Sequence, residues 1–299
     1  MTNKSTLVSL ALTLALMPSL SQAQKDARYL DQTSPGVKPM VYAPGKVSLP
    51  DQFEFGATFS KDRSEFYYGV EINHKAETRV MKFADGKWTT PEKLLVHSVY
   101  SFNDPFLSSD EKQLYFISDR SVSGEGPKKD YDIWYIQREN DKWSAPINAG
   151  PNINTNANEY YMSFTKNGKM YFSSNGRATD GSRDYDIYSA ESKNGKFQPA
   201  IAAGPGVNTE HYEADVFVAP DESYLIFAAN RPEGLGSGDL YVSFRKPDGT
   251  WTPSKSLGDS INTETDDFCP YVTSDGKYLF YASRGDIYWV STEVVSRLK

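Results

Sequence analysis

One sequence unit occurs five times along this chain of 299 residues. Each copy contains a triplet of apolar and aromatic residues, and the first residues of successive triplets lie 48, 56, 55 and 54 positions apart. The triplets are Phe66-Tyr67-Tyr68, Leu114-Tyr115-Phe116, Met170-Tyr171-Phe172, Leu225-Ile226-Phe227 and Leu279-Phe280-Tyr281. A period of this length restricts the fold to architectures that are built from equivalent units, such as propellers and solenoids.

Four further markers recur in the same order around the triplets, which excludes a chance pattern. A turn residue precedes each triplet, namely Asp62, Asp110, Asn167, Asp221 and Asp275. An acidic residue followed by two apolar or aromatic residues comes after four triplets, at Asp132, Asp186, Asp239 and Asp286. An aromatic residue that leads into a proline follows, namely Trp88, Trp143, Phe197 and Trp251. Three copies end on an Asn-Thr pair, at Asn154, Asn208 and Asn262.

The composition of each copy predicts β-strands. The apolar runs are short, rich in Tyr, Phe, Val and Ile, and separated by turn-forming pairs such as Asn167-Gly168 and Asp248-Gly249. About four strands in a unit of this size correspond to one propeller blade. The sequence therefore predicts an all-β protein, a five-bladed β-propeller, with residues 24–299 as a single domain.

The two ends of the repeat region complement each other. The fifth copy stops after its third strand, near residues 286–292, whereas residues 39–47 resemble the end of a copy. We expect this N-terminal strand to complete the last blade and close the ring, because an open sheet edge invites aggregation.

Residues 1–23 are predicted to be a secretory signal peptide. Lys4 precedes an apolar run at residues 7–17, and the small residues Ser21 and Ala23 stand at the −3 and −1 positions of a cleavage site. The run is shorter than the roughly 20 residues that span a bilayer. We expect cleavage near Ala23 and a periplasmic or secreted monomer without a membrane span; the alternative is a buried N-terminal helix.

The charge balance and the cysteine content exclude several kinds of site. With 32 basic and 39 acidic side chains, the net charge of −7 gives no support for nucleic-acid binding. The single cysteine, Cys269, excludes an internal disulfide and a thiolate metal cage. The Asp-rich segments 130–132 and 180–186 are candidates for calcium, but neither matches the 12-residue calcium loop. Solvated turn residues are the alternative, so we expect no cofactor and no metal site.

Taken together, the motifs resemble a known family of repeats. The order Leu-Tyr-Phe, Ser-x-Arg, Asp-Ile-Tyr, Gly-x-Trp and Ile-Asn-Thr, over roughly residues 39–292, is similar to the WD-repeat-like propeller repeats of exported bacterial proteins. These include TolB and many OmpA-associated outer-membrane proteins. The resemblance implies the propeller fold but assigns no activity. The chain departs from the pattern at Phe102, where the repeat has an acid, and in its first copy, which lacks both the Arg and the Asp-Ile-Tyr element.

The repeated charged and aromatic residues are interpreted as structural. We expect one charge-assisted Arg–Asp pair in each of four blades, because a ligand clamp has little reason to recur in four equivalent places. The expected pairs are Arg120–Asp132, Arg177–Asp186, Arg231–Asp239 and Arg284–Asp286. By the same argument, Trp88, Trp143, Phe197 and Trp251 are expected to pack between blades instead of stacking on sugars.

The innermost strands are the place for a ligand site, because they line the channel. The residues eight positions before each turn residue fall at the starts of these strands. Four of the five are acidic, which predicts a ring of carboxylates at one mouth of the channel. The five residues are Glu54, Phe102, Glu159, Glu213 and Asp267, with Asp104, Tyr160 and Asp215 as neighbours. Converging carboxylates raise one another's pKa. The alternative is that these acids cap the strands by accepting backbone N–H groups.

Two functions remain open. The first is a binding or scaffolding propeller that recognises a protein, a small molecule or a glycan at its channel face, with no catalytic residue. The second is a glycoside-active enzyme, which needs two carboxyls roughly 5–9.5 Å apart. The absence of a Gly-x-Ser-x-Gly motif excludes serine hydrolysis of the α/β-hydrolase type. Under the first hypothesis, replacing Glu159 and Glu213 with glutamine is expected to abolish binding without changing thermal unfolding.

Overall fold

Five small antiparallel sheets form a ring in the computed structural model, which describes residues 25–140, 142–177 and 184–299. The inner strands of successive sheets contact one another, and the inner strand of the fifth sheet contacts that of the first. This arrangement is a five-bladed β-propeller, and it confirms the fold that the repeats predicted.

Each blade runs from an inner strand at the channel to an outer strand at the rim. Blade 1 consists of Phe53–Phe59, Glu65–Ile72, Lys75–Ala84, Lys87–Trp88 and Glu92–Leu95. Blade 2 consists of Asn103–Leu107, Gln113–Ser118, Asp132–Glu139, Lys142–Trp143 and Ile147–Asn148. Blade 3 consists of Glu159–Phe164, Met170–Ser174, Asp186–Ala190 and Ile201–Ala202, with a separate ribbon of Ser192–Lys193 and Lys196–Phe197.

The last two blades and the terminal segments complete the ring. Blade 4 consists of Tyr212–Val218, Tyr224–Asn230, Asp239–Phe244 and Lys255–Ser256. Blade 5 consists of Asp267–Val272, Tyr278–Ser283, Asp286–Ser291 and the N-terminal strand Met40–Val41. Short elements flank them, namely the strands Lys25–Asp26 and Gln32–Thr33, the 3₁₀ helix Ala27–Tyr29 and the α-helix Glu293–Ser296.

The N-terminal segment closes the ring as expected. Met40 and Val41 pair antiparallel with Trp289 and Tyr288. The N–H of Tyr42 then donates to the carbonyl of Ile287 at 2.7 Å. The Tyr42 ring is fully buried at the seam between blades 5 and 1. There it contacts Phe59, Phe66, Phe280 and Trp289 at centroid distances of 4.9–6.2 Å.

Aromatic contacts between neighbouring blades confirm three of the four predicted packing residues. Trp143 contacts Tyr67 of blade 1, Phe197 contacts Tyr115 of blade 2 and Trp251 contacts Tyr171 of blade 3, each in a T-shaped arrangement. Trp88 instead donates its indole N–H to the carbonyl of Ala27 in the N-terminal segment. Edge-to-face geometry of this kind contributes beyond the buried area alone.

The predicted Arg–Asp pairs are wrong in blades 2, 4 and 5. In the part of the chain that the structure describes, no ion pair joins Arg120 to Asp132, Arg231 to Asp239 or Arg284 to Asp286. The carboxylates have other partners: Asp132 accepts from Lys129 at 2.9 Å and from Asn148 at 2.8 Å, and Asp239 accepts the N–H groups of Leu235 and Gly236.

Three of the arginines stack on aromatic rings within their own blades. In each case the ring belongs to the residue two positions after the repeated Asp. The distances from the guanidinium carbon to the ring centroid are 4.6 Å for Arg120 and Trp134, 5.8 Å for Arg177 and Tyr188, and 4.4 Å for Arg231 and Tyr241. A planar guanidinium favours this cation–π contact. In these three blades the repeated arginine therefore contacts an aromatic ring of its own blade.

The predicted signal peptide lies outside the described residues. Within the described ranges, no helix is long and apolar enough to cross a membrane.

Candidate functional site

The repeated acids at the starts of the inner strands cap the loops that lead into their own blades. Glu159 accepts the backbone N–H and the hydroxyl of Thr155 at 2.8 and 2.7 Å. Glu213 makes the same two bonds with Thr209 at 3.0 and 2.6 Å. The Asn that precedes each of these threonines hydrogen-bonds to the third strand of the preceding blade. Asn154, for example, accepts the backbone N–H of Ile133 at 2.8 Å and donates to its carbonyl at 2.9 Å. The Asn-Thr pair and the acid are therefore one folding motif.

The expected ring of carboxylates at the channel mouth is consequently not formed. Glu54, Glu159, Glu213 and Asp267 are each 0 % exposed. Glu54 accepts the N–H of Leu49 and Asp267 that of Thr263. None of these four carboxyls lines a cavity at the mouth. The alternative interpretation, strand capping, is the one that the geometry supports.

Phe102 is also placed differently from the prediction. Its ring is buried in an apolar cluster between blades 1 and 2, together with Phe116 and Tyr67, away from the channel mouth. Asp119 compensates for the missing acid, because it accepts the N–H of Ser101 at 2.8 Å and pairs with Lys128 at 2.7 Å. Blade 2 thus makes the same kind of cap from a different position.

Glu54 and Asp267 differ from Glu159 and Glu213 because one carboxyl oxygen of each, Glu54 Oε2 and Asp267 Oδ1, has no hydrogen-bond partner among the described residues. Burial raises the pKa of the Glu54 carboxyl from 4.5 to about 7. The contribution of this carboxyl to the free energy of unfolding is therefore fully present below about pH 4.5. It is lost as the pH rises through about 7.

We therefore expect Glu54→Gln to stabilise the protein above pH 7 by up to about 3 kcal/mol, at roughly 1.4 kcal/mol for each unit of raised pKa. No gain is expected at pH 4. Urea unfolding of the variant and the wild type at pH 4 and 8 measures the difference. Glu125→Gln, the same change at an exposed side chain, is the control and should be neutral at both pH values. A stability difference for Glu54→Gln that does not change with pH would contradict the assignment.

A β-bulge in every inner strand decides which side chains reach the channel. The register shifts near the start of each strand, and one residue there has a positive φ. These residues are Gly56 at 58°, Asp104 at 50°, Tyr161 at 35°, Asp215 at 52° and Cys269 at 52°. Positive φ is uncommon outside glycine, and bulges concentrate near functional sites because they redirect side chains. The five bulge residues form one layer across the channel.

Asp104, Asp215 and Cys269 meet within this layer. The Cys269 thiol donates to Asp104 Oδ1 at 3.1 Å, and Asp215 Oδ2 lies 3.9 Å from the same sulfur and 3.4 Å from the Cys269 backbone nitrogen. Gly56 makes room for this cluster, since a Cβ there would lie 2.7 Å from Asp104 Oδ1. Tyr161 donates across the channel to the carbonyl of Pro270 at 2.9 Å.

The environment of this cluster favours uncharged groups. Burial raises the pKa of both Asp104 and Asp215 well above the ordinary range, and each carboxylate disfavours a nearby negative charge. Burial and the two carboxyls also raise the pKa of the Cys269 thiol. Such perturbed groups concentrate at functional sites.

The cluster opens into a cavity of about 230 Å³ at the mouth where the inner strands begin. The lining residues are Phe53, Phe55, Glu71, Asn103, Asp104, Tyr160, Tyr212, Asp215, Phe268 and Cys269. Three predicted site residues, Asp104, Tyr160 and Asp215, are therefore brought together. We call this the mouth cavity.

Aromatic rings form two arcs of the mouth cavity. On one side, the rings of Tyr160 and Tyr212 are bridged by that of Tyr185, at centroid distances of 5.2 and 5.4 Å. On the other, Phe53 stacks on Phe268 with centroids 6.1 Å apart. The tyrosines stay neutral, since burial raises the pKa of Tyr185 to about 12 and that of Tyr160 and Tyr212 further.

Sequence reasoning missed Cys269, Phe53, Phe55, Phe268 and Glu71. One signal was available: the position two residues after each capping acid differs in chemistry from copy to copy, although its neighbours repeat. A position whose residue type varies among otherwise similar copies indicates a side chain that is not needed for folding of the blade.

A larger cavity of about 480 Å³ occupies the opposite mouth. Its walls are mainly the apolar rings of Phe59, Phe106, Phe164, Phe217 and Tyr271. Of the charged groups at its rim, Arg63 and Asp275 neutralise each other at 2.7 Å. Its described lining contains no counterpart of the carboxyl pair Asp104 and Asp215, which is why the mouth cavity is the candidate site.

The structure describes the first calcium candidate and only part of the second. Asp130 and Asp132 are bound by Lys129, and most of the segment 180–186 lies outside the described residues. Within the described ranges, no three His, Cys, Asp or Glu side chains are placed to hold a metal ion.

Solved structures share this fold at low sequence identity. A thermostable family-43 glycoside hydrolase aligns at a TM-score of 0.56 and 15 % identity, covering 80 % of this chain and 88 % of its own. A protein of unknown function from Dyadobacter fermentans aligns at 0.51 and 15 %, covering 87 % and 83 %, and a putative TolB from Agrobacterium tumefaciens at 0.50 and 16 %, covering 79 % and 72 %. No protein-family model matches the sequence, and no curated protein matches it significantly. The neighbours include TolB-type propellers and enzymes, so the fold is shared and the function is not assigned by it.

Proposed function

We propose that this protein is an exported binding propeller that holds a small ligand in the mouth cavity. The observation that carries the proposal is a pair of carboxyls, the buried Asp104 and the half-buried Asp215, that meet in an aromatic-lined cavity instead of capping a strand. Buried carboxyls without compensating partners cost stability, so their presence favours a role in binding. The signal-peptide sequence supports export.

The size of the cavity favours a small molecule. At about 230 Å³ it lies below the roughly 300–1,000 Å³ of pockets for drug-sized ligands. A metabolite of a few heavy atoms, or one side chain of a protein partner, fits this volume. Its polar groups converge from blades 2 and 4, which is the arrangement that fixes a ligand's orientation.

A glycoside-active enzyme is the second candidate, because a pair of carboxyls in unequal environments is what such chemistry uses. Both Asp104 and Asp215 have raised pKa values, and one neighbour with this fold is a glycoside hydrolase. The position of Cys269 argues against it. The thiol lies within 3.9 Å of both carboxyls and occupies the space where a glycosidic oxygen would have to sit.

The double variant Asp104→Asn, Asp215→Asn tests the proposal. Asparagine tolerates positive φ, so the bulges are retained. Removing two acids that have no cationic partner should leave thermal stability unchanged or higher. In a thermal-shift screen of small metabolites against the wild type, a ligand at 100 times its Kd stabilises by about 2.7 kcal/mol, a shift of several degrees. We expect the double variant to lose this shift.

The control is the double variant Asp110→Asn, Asp248→Asn, which changes the net charge equally at exposed turn residues. It should respond to ligand as the wild type does. If the Asp104/Asp215 variant retains the full shift, the mouth cavity is not the site. Release of reducing sugar from a panel of glycosides by the wild type, but not by this variant, would instead support the enzyme.

A further inference from the structure

We infer that the ligand of the mouth cavity carries a protonated amine, held between the carboxyls of Asp104 and Asp215 with its carbon body against the aromatic arcs. This inference rests on the proposed function and names the ligand class.

The first argument is the lack of a counter-charge. Several other buried acids have a cationic partner within the protein: Glu213 has Arg231, Asp119 has Lys128, and Glu77 has Arg79 and Lys93. Glu159 instead has both carboxyl oxygens hydrogen-bonded to Thr155 and Ser174. The mouth cavity brings together Asp104, Asp215 and Glu71, but its lining, as far as the chain is described, contains no lysine, arginine or histidine. Ionised carboxylates in such a site require a cation from elsewhere.

The second argument is that acceptors of the mouth cavity lack strong hydrogen-bond donors within the protein. Asp104 is 6 % exposed. Among the described residues, its side chain accepts a hydrogen bond from the Cys269 thiol, which is a weak donor. Asn103 also lines the cavity, and its Oδ1 is buried without a hydrogen-bond partner among the described residues. A ligand that complements this set supplies several N–H donors. An ammonium group has three, whereas a quaternary ammonium has none.

The third argument is the chemistry of the walls. The rings of Tyr160 and Tyr212 on one side, and of Phe53, Phe55 and Phe268 on the other, present aromatic surface to the same space. Aromatic rings attract cations through their negative faces, by about 0.5–2 kcal/mol per contact. They also bury alkyl carbons, which a metal ion lacks. Carboxylates and aromatic rings together therefore select an organic cation.

The inference carries a definite pH dependence. Burial raises the pKa of both carboxyls and that of Asp104 the more strongly, so binding an ammonium group near neutral pH must release the proton that Asp104 carries. The other titratable groups that face them are Tyr160, Tyr161, Tyr185, Tyr212 and Cys269, whose pKa values are all raised and which stay neutral below pH 9. Glu71, with His74 at 3.6 Å, and Asp266 complete the charged surroundings. Affinity for an amine should rise with pH until the amine itself deprotonates.

The test uses n-butylammonium, with 1-butanol as a neutral probe of similar size and D-glucose as a neutral sugar. Binding is measured by saturation-transfer NMR and titration at pH 5.5 and 8.5, with the wild type and the double variant Asp104→Asn, Asp215→Asn. We expect n-butylammonium to bind the wild type at least tenfold more tightly than 1-butanol. We also expect its affinity to rise at least fivefold from pH 5.5 to 8.5, and both effects to disappear in the variant.

The outcomes separate this inference from the proposed function. If D-glucose binds the wild type and not the variant, while n-butylammonium does not bind, the ligand class is wrong but the site stands. Equal binding of n-butylammonium to wild type and variant would mean attachment elsewhere on the acidic surface and would overturn the inference. If no probe binds and the metabolite screen also gives no Asp104/Asp215-dependent shift, both fail.

Discussion

Removing residues 24–50 is expected to abolish the monomeric propeller and to yield aggregated protein. The deletion takes away the outer strand Met40–Val41 and leaves the strand Asp286–Ser291 as an unpaired edge, which is a template for aggregation. It also removes buried apolar side chains that cover the seam, namely Tyr29, Leu30, Tyr42, Ala43 and Val47. Size-exclusion chromatography with light scattering measures the result. A folded monomer would contradict the closure of the ring by this segment.

A single substitution at the seam makes the same test quantitative. Tyr42→Ala is expected to lower the free energy of unfolding by about 3–5 kcal/mol, the usual cost of removing a large buried ring. Tyr42→Phe is the matched control, because the Tyr42 hydroxyl is buried without a hydrogen-bond partner. Its removal should be neutral or slightly stabilising. Urea unfolding of the three proteins distinguishes the loss of the ring from the loss of the hydroxyl.

Replacing Glu213 with glutamine is expected to destabilise the protein by about 3 kcal/mol without changing ligand binding. Glu213 is fully buried and lies 3.1 Å from Arg231 Nη2, whose side chain is only 8 % exposed. Removing one partner of a buried ion pair leaves the other charge uncompensated, which costs about 3–5 kcal/mol. Chemical denaturation measures the loss, and the thermal-shift screen checks binding. This result is the reverse of the one that the sequence alone predicted for Glu159 and Glu213.

Glu210→Gln is the control for this variant. It makes the same chemical change three positions away, at a side chain that is 89 % exposed, and should alter stability by no more than about 0.5 kcal/mol. If Glu213→Gln instead unfolds like the wild type and loses ligand binding, the capping role assigned to Glu213 is wrong, and the acid belongs to the binding site.

The candidate site was only partly predictable. Asp104, Asp215 and Tyr160 were named from the sequence because they follow the capping positions closely. Phe53, Phe268 and Cys269 were missed, since an aromatic or a cysteine in a β-strand is ordinarily part of the core. They reach the cavity because five inner strands converge on one channel, and no single copy of the repeat contains that information.

The sequence by itself determined the number of blades, the order of strands within each blade and the pairing of the chain's two ends. These features follow from a pattern that recurs five times, because each copy must bury the same apolar faces against its neighbours. The Asn-Thr pair and the acid four residues after the Thr are determined in the same way, because they form a local motif where one copy meets the next.

Only the tertiary structure decided which acids face the channel. In a regular strand, alternate side chains point to opposite faces, so residues such as Glu213 and Asp215 would point the same way. A bulge with positive φ breaks this alternation at Asp215, and the equivalent bulge at Asp104 does so in blade 2. Glu213 therefore turns into its blade while Asp215 points to the channel. The residue type does not reveal such a bulge, because aspartate, tyrosine and cysteine occupy the bulge position as well as glycine. Packing against the neighbouring inner strands holds the backbone in this conformation.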